Sequence, residues 1–214
     1  MKPLVCFIDD SDFEHDLVRK EIAPNAPDLE FLQVFTFEEA RESLGTEVPD
    51  LFLLDLWGKD EDVLEPSITP REKLEERIAR FPTLDHVYEG LDDHNGEVTK
   101  EYLRRLFAIV DGWRTLFEGV CDRIGQNRKY GISNLKQVRK YYFGVPAVVY
   151  TRKSMINDVV AIFRAGAADL FIKPTGSNDA ETRRLTREYS PQLIVGLRRK
   201  MEQRRGAHRA QRVS

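Results

Sequence analysis

The fold of this chain is decided by residues 51–55, Leu51-Phe52-Leu53-Leu54-Asp55, in which four apolar residues are followed directly by a carboxylate. A continuous apolar run of this length is typical of a strand that is buried on both faces of a parallel sheet. Residues 4–8, Leu4-Val5-Cys6-Phe7-Ile8, repeat the pattern and are followed by Asp9 and Asp10. In open α/β sheets the functional edge lies at the carboxyl ends of the strands, so these carboxylates are candidate site residues.

Strand and helix patterns alternate outward from these two runs. Further strands are predicted at residues 29–35, 146–150 and 169–172. Helices are predicted at about 11–22, 36–44, 155–164 and 179–203, and Pro191 predicts a break or a late start in the last one. Capping boxes, Ser11 with Glu14 and Thr36 with Glu39, are predicted to start the first two helices. Five strands alternating with helices predict a flavodoxin-like, doubly wound parallel sheet of order 2-1-3-4-5, an α/β fold.

The stretch between the third and fourth strands is far longer than the dozen or so residues that a parallel crossover needs. Its apolar spacing is helical, so we predict a helical subdomain inserted at residues 58–144, which includes whatever replaces the usual third helix. The sheet domain then comprises residues 1–57 and 145–203. Residues 204–214 are predicted to form a basic, disordered tail.

The longest predicted helix of the insertion runs from Thr99 to about Gly125. Its apolar residues recur at alternating spacings of three and four: Leu103, Leu106, Val110, Trp113, Phe117, Val120 and Ile124. This heptad pattern has two interpretations, a coiled coil that forms a homodimer or the core face of a helix within its own domain. Additional apolar residues at Phe107, Ile109 and Leu116 widen the stripe and favour packing within the domain.

Composition and charge argue against a nucleic-acid-binding, a membrane-spanning or a secreted protein. The net charge is −3, while residues 181–214 contain ten Arg or Lys against three Glu. No DNA-binding module is recognisable beside this basic segment, so nucleic acid is not an expected partner. There is no membrane-spanning run and no secretory signal pattern. Cys6 and Cys121 lie within apolar patterns and are predicted to be buried thiols, as expected in the cytoplasm.

Three carboxylates and two further polar side chains follow predicted strands. Asp9, Asp10 and Asp55 come after the first and third strands, Thr151 after the fourth and Lys173 after the fifth. Because the carboxyl ends of parallel strands meet at one edge, we expect these side chains to converge. Clustered carboxylates favour a cation, and oxygen ligands favour Mg²⁺ or Mn²⁺. A carboxylate in such a site can attack a phosphoryl donor and form an aspartyl phosphate.

The residues at these strand ends are Ile8-Asp9-Asp10, Leu54-Asp55, Tyr150-Thr151 and Ile172-Lys173-Pro174. They resemble the signature positions of CheY-like receiver domains of two-component response regulators, over about residues 2–56 and 145–200. The resemblance implies that Asp55 is the phosphoacceptor and that the donor is a phosphohistidine on a histidine kinase or phosphotransfer protein.

The resemblance also implies the roles of the other site residues. Asp10 would be a direct metal ligand, Asp9 would bind the metal largely through water, and the backbone carbonyl of Trp57 would supply another oxygen. Thr151 would contact the phosphoryl group and Lys173 would bridge to it. Such a protein is not an enzyme beyond its own phosphorylation and dephosphorylation. It would relay a signal through protein contacts of the helical insertion or of the fourth-helix face.

Two positions depart from the receiver pattern. Arg152 follows Thr151, where the family usually has a small residue, and it is expected to hold the phosphoryl group or to shield it from water. Leu170 occupies the position of the usual aromatic switch residue. Phe171 is one residue later and is therefore expected on the opposite face of the sheet.

Two other interpretations remain open at this point. The first is a degenerate receiver that acts as a phosphorylation-independent adaptor through its helical insertion. The second is a phosphohydrolase with Asp9 as the nucleophile. The second would require a carboxylate at position 11, where the chain has Ser11.

Overall fold

A computed structural model describes residues 2–60, 62–152 and 156–211. The strands are β1 (Leu4–Ile8), β2 (Glu30–Val34), β3 (Leu51–Leu54), β4 (Gly58–Lys59), β5 (Gln126–Asn127), β6 (Ala147–Thr151) and β7 (Asp169–Ile172). The five longer strands form a parallel sheet of order β2-β1-β3-β6-β7. This is the predicted flavodoxin-like order 2-1-3-4-5, so the α/β fold class is confirmed.

The helices are α1 (Asp12–Leu17), α2 (Phe37–Leu44), α3 (Arg71–Ile78), α4 (Leu84–Tyr88), α5 (Val98–Arg123), α6 (Lys129–Tyr141), α7 (Ile156–Ala165) and α8 (Asp179–Gln211). A π-helical turn, Val18–Ile22, and a 3-10 turn, Ala23–Asn25, continue the chain after α1. The predicted start of α7 near Met155 lies outside the described residues. No helix in the described ranges is both long and apolar enough to cross a membrane.

Helix α8 contradicts two predictions. It is continuous through Pro191, which lacks the N–H that would bond the carbonyl of Arg187. The Ser190 hydroxyl donates to that carbonyl at 2.9 Å and so replaces the missing bond. The helix also continues to Gln211, and near its end Arg204 donates to the carbonyl of Pro49 at 2.9 Å. The segment predicted to be a disordered tail, 204–214, is thus helical as far as Gln211, and residues 212–214 lie outside the described chain.

Helices cover both faces of the sheet. On one face α8 packs against the turn that follows α1 and against β3, over a core that includes Val5, Phe7, Leu53, Val148, Leu193 and Leu197. On the other face α2 packs on β1 and β2, and α6 packs on β3 and β6. The rings of Phe37 and Tyr142 lie beside that of Phe52, at centroid distances of 6.4 and 5.0 Å.

The chain divides into two compact units. One comprises the residues up to Lys59 and from Arg128 onward, and the other comprises Asp60–Asn127. The second unit contains α3, α4 and α5, and its two ends are tied to each other. The N–H of Asp60 donates to the carbonyl of Gly125 at 2.7 Å, and the Asn127 amide donates to the Asp60 carboxylate. The predicted insertion, 58–144, extends beyond this unit because α6 belongs to the sheet domain.

The apolar stripe of α5 is mostly uncovered. Within this helix only Leu116 and Cys121 are buried, while Leu103, Val110 and Trp113 are about half exposed or more. Trp113 does contact Phe81 edge-on, with ring centroids 5.5 Å apart. Packing within the domain is therefore partial: Leu116 is buried, while Leu103 and Val110 stay exposed.

Candidate functional site

The carboxyl ends of four strands bring the predicted polar residues together. In the sheet register Ile8 pairs with Leu54, and Thr151 pairs with Ile172. The residues that follow or end these strands therefore lie along one edge, and they are Asp9, Asp55, Thr151 and Lys173. All four are buried, with at most 7% of their surface exposed.

Three carboxylates form a tight cluster at this edge. Asp9, Asp10 and Asp55 each present an oxygen, and these oxygens lie within 4.8 Å of one another. Backbone amides orient two of the three. The N–H of Ser11 donates to Asp9 Oδ1 at 3.0 Å, and the N–H of Lys59 donates to Asp10 Oδ2 at 2.8 Å. The loops after β1 and β3 thus hold the carboxylates in place before any ligand arrives.

Lys173 is the buried cation of the site. Its Nζ lies 2.5 Å from Asp9 Oδ2, 3.1 Å from Asp55 Oδ1 and 3.4 Å from Glu14 Oε2. Burial alone lowers the pKa of a lysine, but Asp55, Asp9 and Glu14 together raise the pKa of Lys173 above its usual value. Lys173 therefore stays charged at any physiological pH.

The two buried aspartates are harder to ionise than ordinary aspartates. Burial raises the pKa of Asp9 to about 7, because Lys173 offsets only part of the lost solvation and Asp55 adds repulsion. Burial also raises the pKa of Asp55, and the nearby Lys173 ammonium opposes this rise. The cluster lacks positive charge, which an added cation would supply.

The Thr151 hydroxyl is buried at the same edge. Thr151 is 1% exposed, and its Oγ1 has no hydrogen-bond partner. Asp55 Oδ1 likewise has no hydrogen bond of good geometry, and its partner is the Lys173 ammonium as an ion pair. Buried polar atoms nearly always have a hydrogen-bond partner, so the Thr151 hydroxyl points to a bound group that supplies one.

Glu14 is part of the site, although the sequence analysis did not predict a role for this residue. Ser11 makes no side-chain cap at the start of α1, so the predicted capping box is wrong. The Glu14 carboxylate instead turns to Lys173 and accepts hydrogen bonds from Arg152 at 2.5 and 2.9 Å. The spacing in the sequence could have indicated this, because Glu14 precedes Leu17 by three residues and so lies on the same, buried side of the helix.

Arg152 is held at the rim of the site. Besides Glu14, its guanidinium donates to the carbonyl of Pro174 and to the Thr175 hydroxyl, the latter at 3.2 Å. The other departure from the receiver pattern, Leu170, pairs with Val149 in the sheet. Phe171 packs into the core beneath α8, on the face opposite to Leu170.

Helix α6 adds another residue that the sequence did not predict. The Tyr130 hydroxyl donates to the carbonyl of Phe35 at 2.7 Å, and its ring fills the space beside Gly58, where a Cβ would lie 2.5 Å from the ring. Burial, followed by the charges of the three aspartates, raises the pKa of Tyr130. Trp57 is buried in the same loop, and the metal-binding role of its carbonyl stays a prediction.

The donor set fits Mg²⁺ or Mn²⁺. It consists of carboxylate oxygens, without the thiolate and imidazole groups that zinc prefers. Asp9, Asp10 and Asp55, whose oxygens lie within 4.8 Å of one another, could hold such an ion.

We expect Mg²⁺ binding to weaken as the pH falls. The pKa of Asp9 is about 7, and the ion requires the ionised carboxylate, so affinity should drop up to roughly tenfold per pH unit below 7. Isothermal titration calorimetry at several pH values measures this. In Asp9→Asn the drop between about pH 7 and 5.5 should largely disappear. An affinity of the unaltered protein that is constant over that range would contradict the burial of Asp9.

Comparisons with known proteins support the fold. No family model matches the sequence, and no curated protein matches it. Among solved structures, NtrX from Brucella abortus aligns with a TM-score of 0.53 at 17% identity, over 100% of this chain and 30% of that chain. The response regulator domain of CheB from Thermotoga maritima aligns with a TM-score of 0.49 at 17% identity, over 94% and 98%. A CheY-like receiver domain protein from Methanospirillum hungatei has the same TM-score at 12% identity, over 97% and 99%.

Proposed function

Because the chain has the fold of a response-regulator receiver domain, we propose that it is a phosphoacceptor whose Asp55 takes a phosphoryl group in a Mg²⁺-dependent reaction. One observation carries the proposal. At the end of β3, Asp55 faces the Lys173 ammonium at 3.1 Å, next to a buried Thr151 hydroxyl that has no hydrogen-bond partner. A nucleophile, a cation and a free donor are the groups that phosphoryl transfer to a carboxylate requires.

The proposed donor is a phosphohistidine on a histidine kinase or phosphotransfer protein. An Asp55 oxygen forms a bond to phosphorus while the P–N bond breaks, and the imidazole leaves with the bonding pair and takes up a proton. Lys173 neutralises charge on the phosphoryl oxygens, and Thr151 donates a hydrogen bond to one of them. A bound Mg²⁺, held by Asp9, Asp10 and Asp55 and by the predicted Trp57 carbonyl, would neutralise further charge.

Arg152 and Glu14 are proposed to tune the lifetime of the phosphorylated state. Arg152 is held by Glu14 at the rim, within one residue of Thr151 in the chain. A phosphoryl group on Asp55 would compete with Glu14 for this guanidinium, since both are anions. Released Arg152 would then cover the phosphoryl group against water.

The test is phosphorylation by a small-molecule donor. Incubation with Mg²⁺ and acetyl phosphate should add one phosphoryl group, seen by intact-mass spectrometry, and chelation of the metal should prevent it. Asp55→Asn should take up none, while Asp12→Asn, which alters a carboxylate of α1 outside the cluster, should react like the unaltered protein. No mass gain, together with no binding of beryllofluoride, would exclude the proposal.

A second candidate function is a phosphorylation-independent adaptor. The exposed apolar stripe of α5 favours it, because that surface is present without any change at Asp55. If the adaptor function is correct, Asp55→Asn should behave like the unaltered protein in every binding assay. The described cysteines, Cys6 and Cys121, are buried and form no disulfide, which supports a reducing compartment such as the cytoplasm for either function.

A further inference from the structure

The loop that follows β3 is held at two points by the first turn of α6. The N–H of Gly131 donates to the carbonyl of Leu56 at 3.0 Å. Two residues further along the loop, the ring of Tyr130 lies directly against the backbone of Gly58. Helix α6 and this loop therefore form one packed element within the sheet domain.

The contact between Tyr130 and Gly58 explains why position 58 has no side chain. The glycines of the described chain that adopt a positive φ do not include Gly58, so its backbone conformation does not require a glycine. A Cβ at this position would instead lie 2.5 Å from the Tyr130 ring. The glycine is therefore required by the close approach of the ring.

The same loop presents one of the clustered carboxylates. The N–H of Lys59, the residue after Gly58, donates to Asp10 Oδ2 at 2.8 Å. The loop also contains Trp57, whose carbonyl is the predicted fourth source of a metal-binding oxygen. A shift of the loop away from α6 would move this N–H and would release Asp10.

The Tyr130 hydroxyl joins the loop to a second part of the metal site. It donates to the carbonyl of Phe35, directly after β2, at 2.7 Å. The preceding residue, Val34, accepts a hydrogen bond from the N–H of Asp9 at 3.2 Å. The His15 ring lies beside the Phe35 ring, with centroids 4.5 Å apart, and its Nε2 lies 2.8 Å from the carbonyl oxygen of Asp9. The end of β2 thus connects Tyr130 to the turn that carries Asp9.

We propose that Tyr130 is a positioning residue for the metal site. Its ring fixes the loop after β3, and its hydroxyl fixes that ring to the end of β2, so that Asp10 is held close to Asp9. Partners that orient metal ligands typically change metal affinity by about 10-fold to 100-fold. The inference rests on the metal-dependent part of the proposed function and deepens it, because it names a residue outside the carboxylate cluster that controls Mg²⁺ affinity.

Tyr130→Phe tests the role of the hydroxyl, because it keeps the ring against Gly58. Mg²⁺ binding, measured by isothermal titration calorimetry, should weaken about threefold to tenfold. In the metal-free protein, the amide of Lys59 should exchange its hydrogen faster. Tyr141→Phe is the matched control on the same helix, because Tyr141 is 45% exposed, and it should change neither quantity. A merely structural role would lower the unfolding temperature and leave both quantities unchanged.

A double-mutant cycle tests the contact of the ring with the loop. Gly58→Ala should weaken Mg²⁺ binding at least about tenfold when Tyr130 is present, because the ring and the loop cannot both stay in place. In Tyr130→Ala the ring is gone, so adding Gly58→Ala should have little further effect. Circular dichroism checks that each variant is folded, and Tyr130→Phe keeps the test decisive if one of them is not.

The outcomes separate this inference from the proposed function. A Mg²⁺ affinity or a Lys59 exchange rate that is unchanged in Tyr130→Phe, or additive effects in the cycle, would overturn the inference and leave phosphorylation of Asp55 intact. Tyr130-dependent Mg²⁺ binding by a protein that takes no phosphoryl group would support the inference and exclude the phosphoacceptor function. An unaltered protein that binds no Mg²⁺ would overturn both.

Discussion

Lys173→Met is expected to lower the free energy of unfolding by about 3 kcal/mol or more at neutral pH, and to abolish phosphorylation of Asp55. The lysine is the common partner of Asp9, Asp55 and Glu14, and its removal leaves three buried carboxylates facing one another. Those carboxyls would then take up protons in the folded state. The loss of stability should accordingly be smaller at pH 5 than at pH 8, as chemical denaturation at the two pH values can measure.

Added Mg²⁺ separates the two effects of this substitution. The metal supplies positive charge to the cluster, so it should restore part of the lost stability without restoring phosphorylation. Lys20→Met is the matched control, because Lys20 pairs with Asp16 at an exposed position on the surface. Its effect should stay within about 0.5 kcal/mol. Equal stabilities for Lys173→Met and the unaltered protein would contradict the buried ion cluster.

Gly131→Ala is expected to destabilise the protein by about 2 to 4 kcal/mol and to slow phosphorylation. A Cβ at this position would lie 2.5 Å from the carbonyl oxygen of Asp55 and 2.5 Å from the Cα of Leu56. These are backbone atoms and cannot rotate away, so α6 or the end of β3 must move. The N–H of Gly131 also donates to the carbonyl of Leu56 at 3.0 Å, and this bond would lengthen.

Gly206→Ala is the control for this prediction. Gly206 lies in α8, and a Cβ there would meet nothing within 4 Å, so the change should be neutral or slightly stabilising. Thermal unfolding measures both variants, and the rate of mass gain with acetyl phosphate measures the position of Asp55. If Gly131→Ala is as stable as Gly206→Ala, α6 is not in close contact with the end of β3.

The sheet and the edge of the site could be predicted because their signals are local. Each buried strand is a continuous apolar run, and each polar site residue follows or ends such a run, as Asp55 follows Leu51–Leu54. Parallel topology then fixes that these ends meet. Nothing further was needed to bring Asp9, Thr151 and Lys173 together with Asp55.

The features that the sequence did not predict depend on which partner a side chain contacts, and its spacing in the sequence does not determine that partner. Ser11 and Glu14 have capping-box spacing whether the glutamate turns back to the helix start or toward a lysine far away in the sequence. Pro191 indicates a break unless a neighbouring side chain satisfies the carbonyl that it leaves free, as Ser190 does. The stripe of α5 has the same spacing whether its partner is intramolecular or a second chain.

The hydrogen bonds that join Asp60 to the Gly125–Asn127 segment have a consequence for folding kinetics. Strands β3 and β6 are neighbours, yet Leu53 and Val148 are separated by the whole insertion. Closing so long a loop costs entropy and slows folding. If the insertion folds first, the hydrogen bonds between its two ends bring the end of β3 and the start of α6 close together. The effective loop between β3 and β6 is then short. We expect the inserted unit to fold before the sheet, which pulsed hydrogen exchange during refolding can measure.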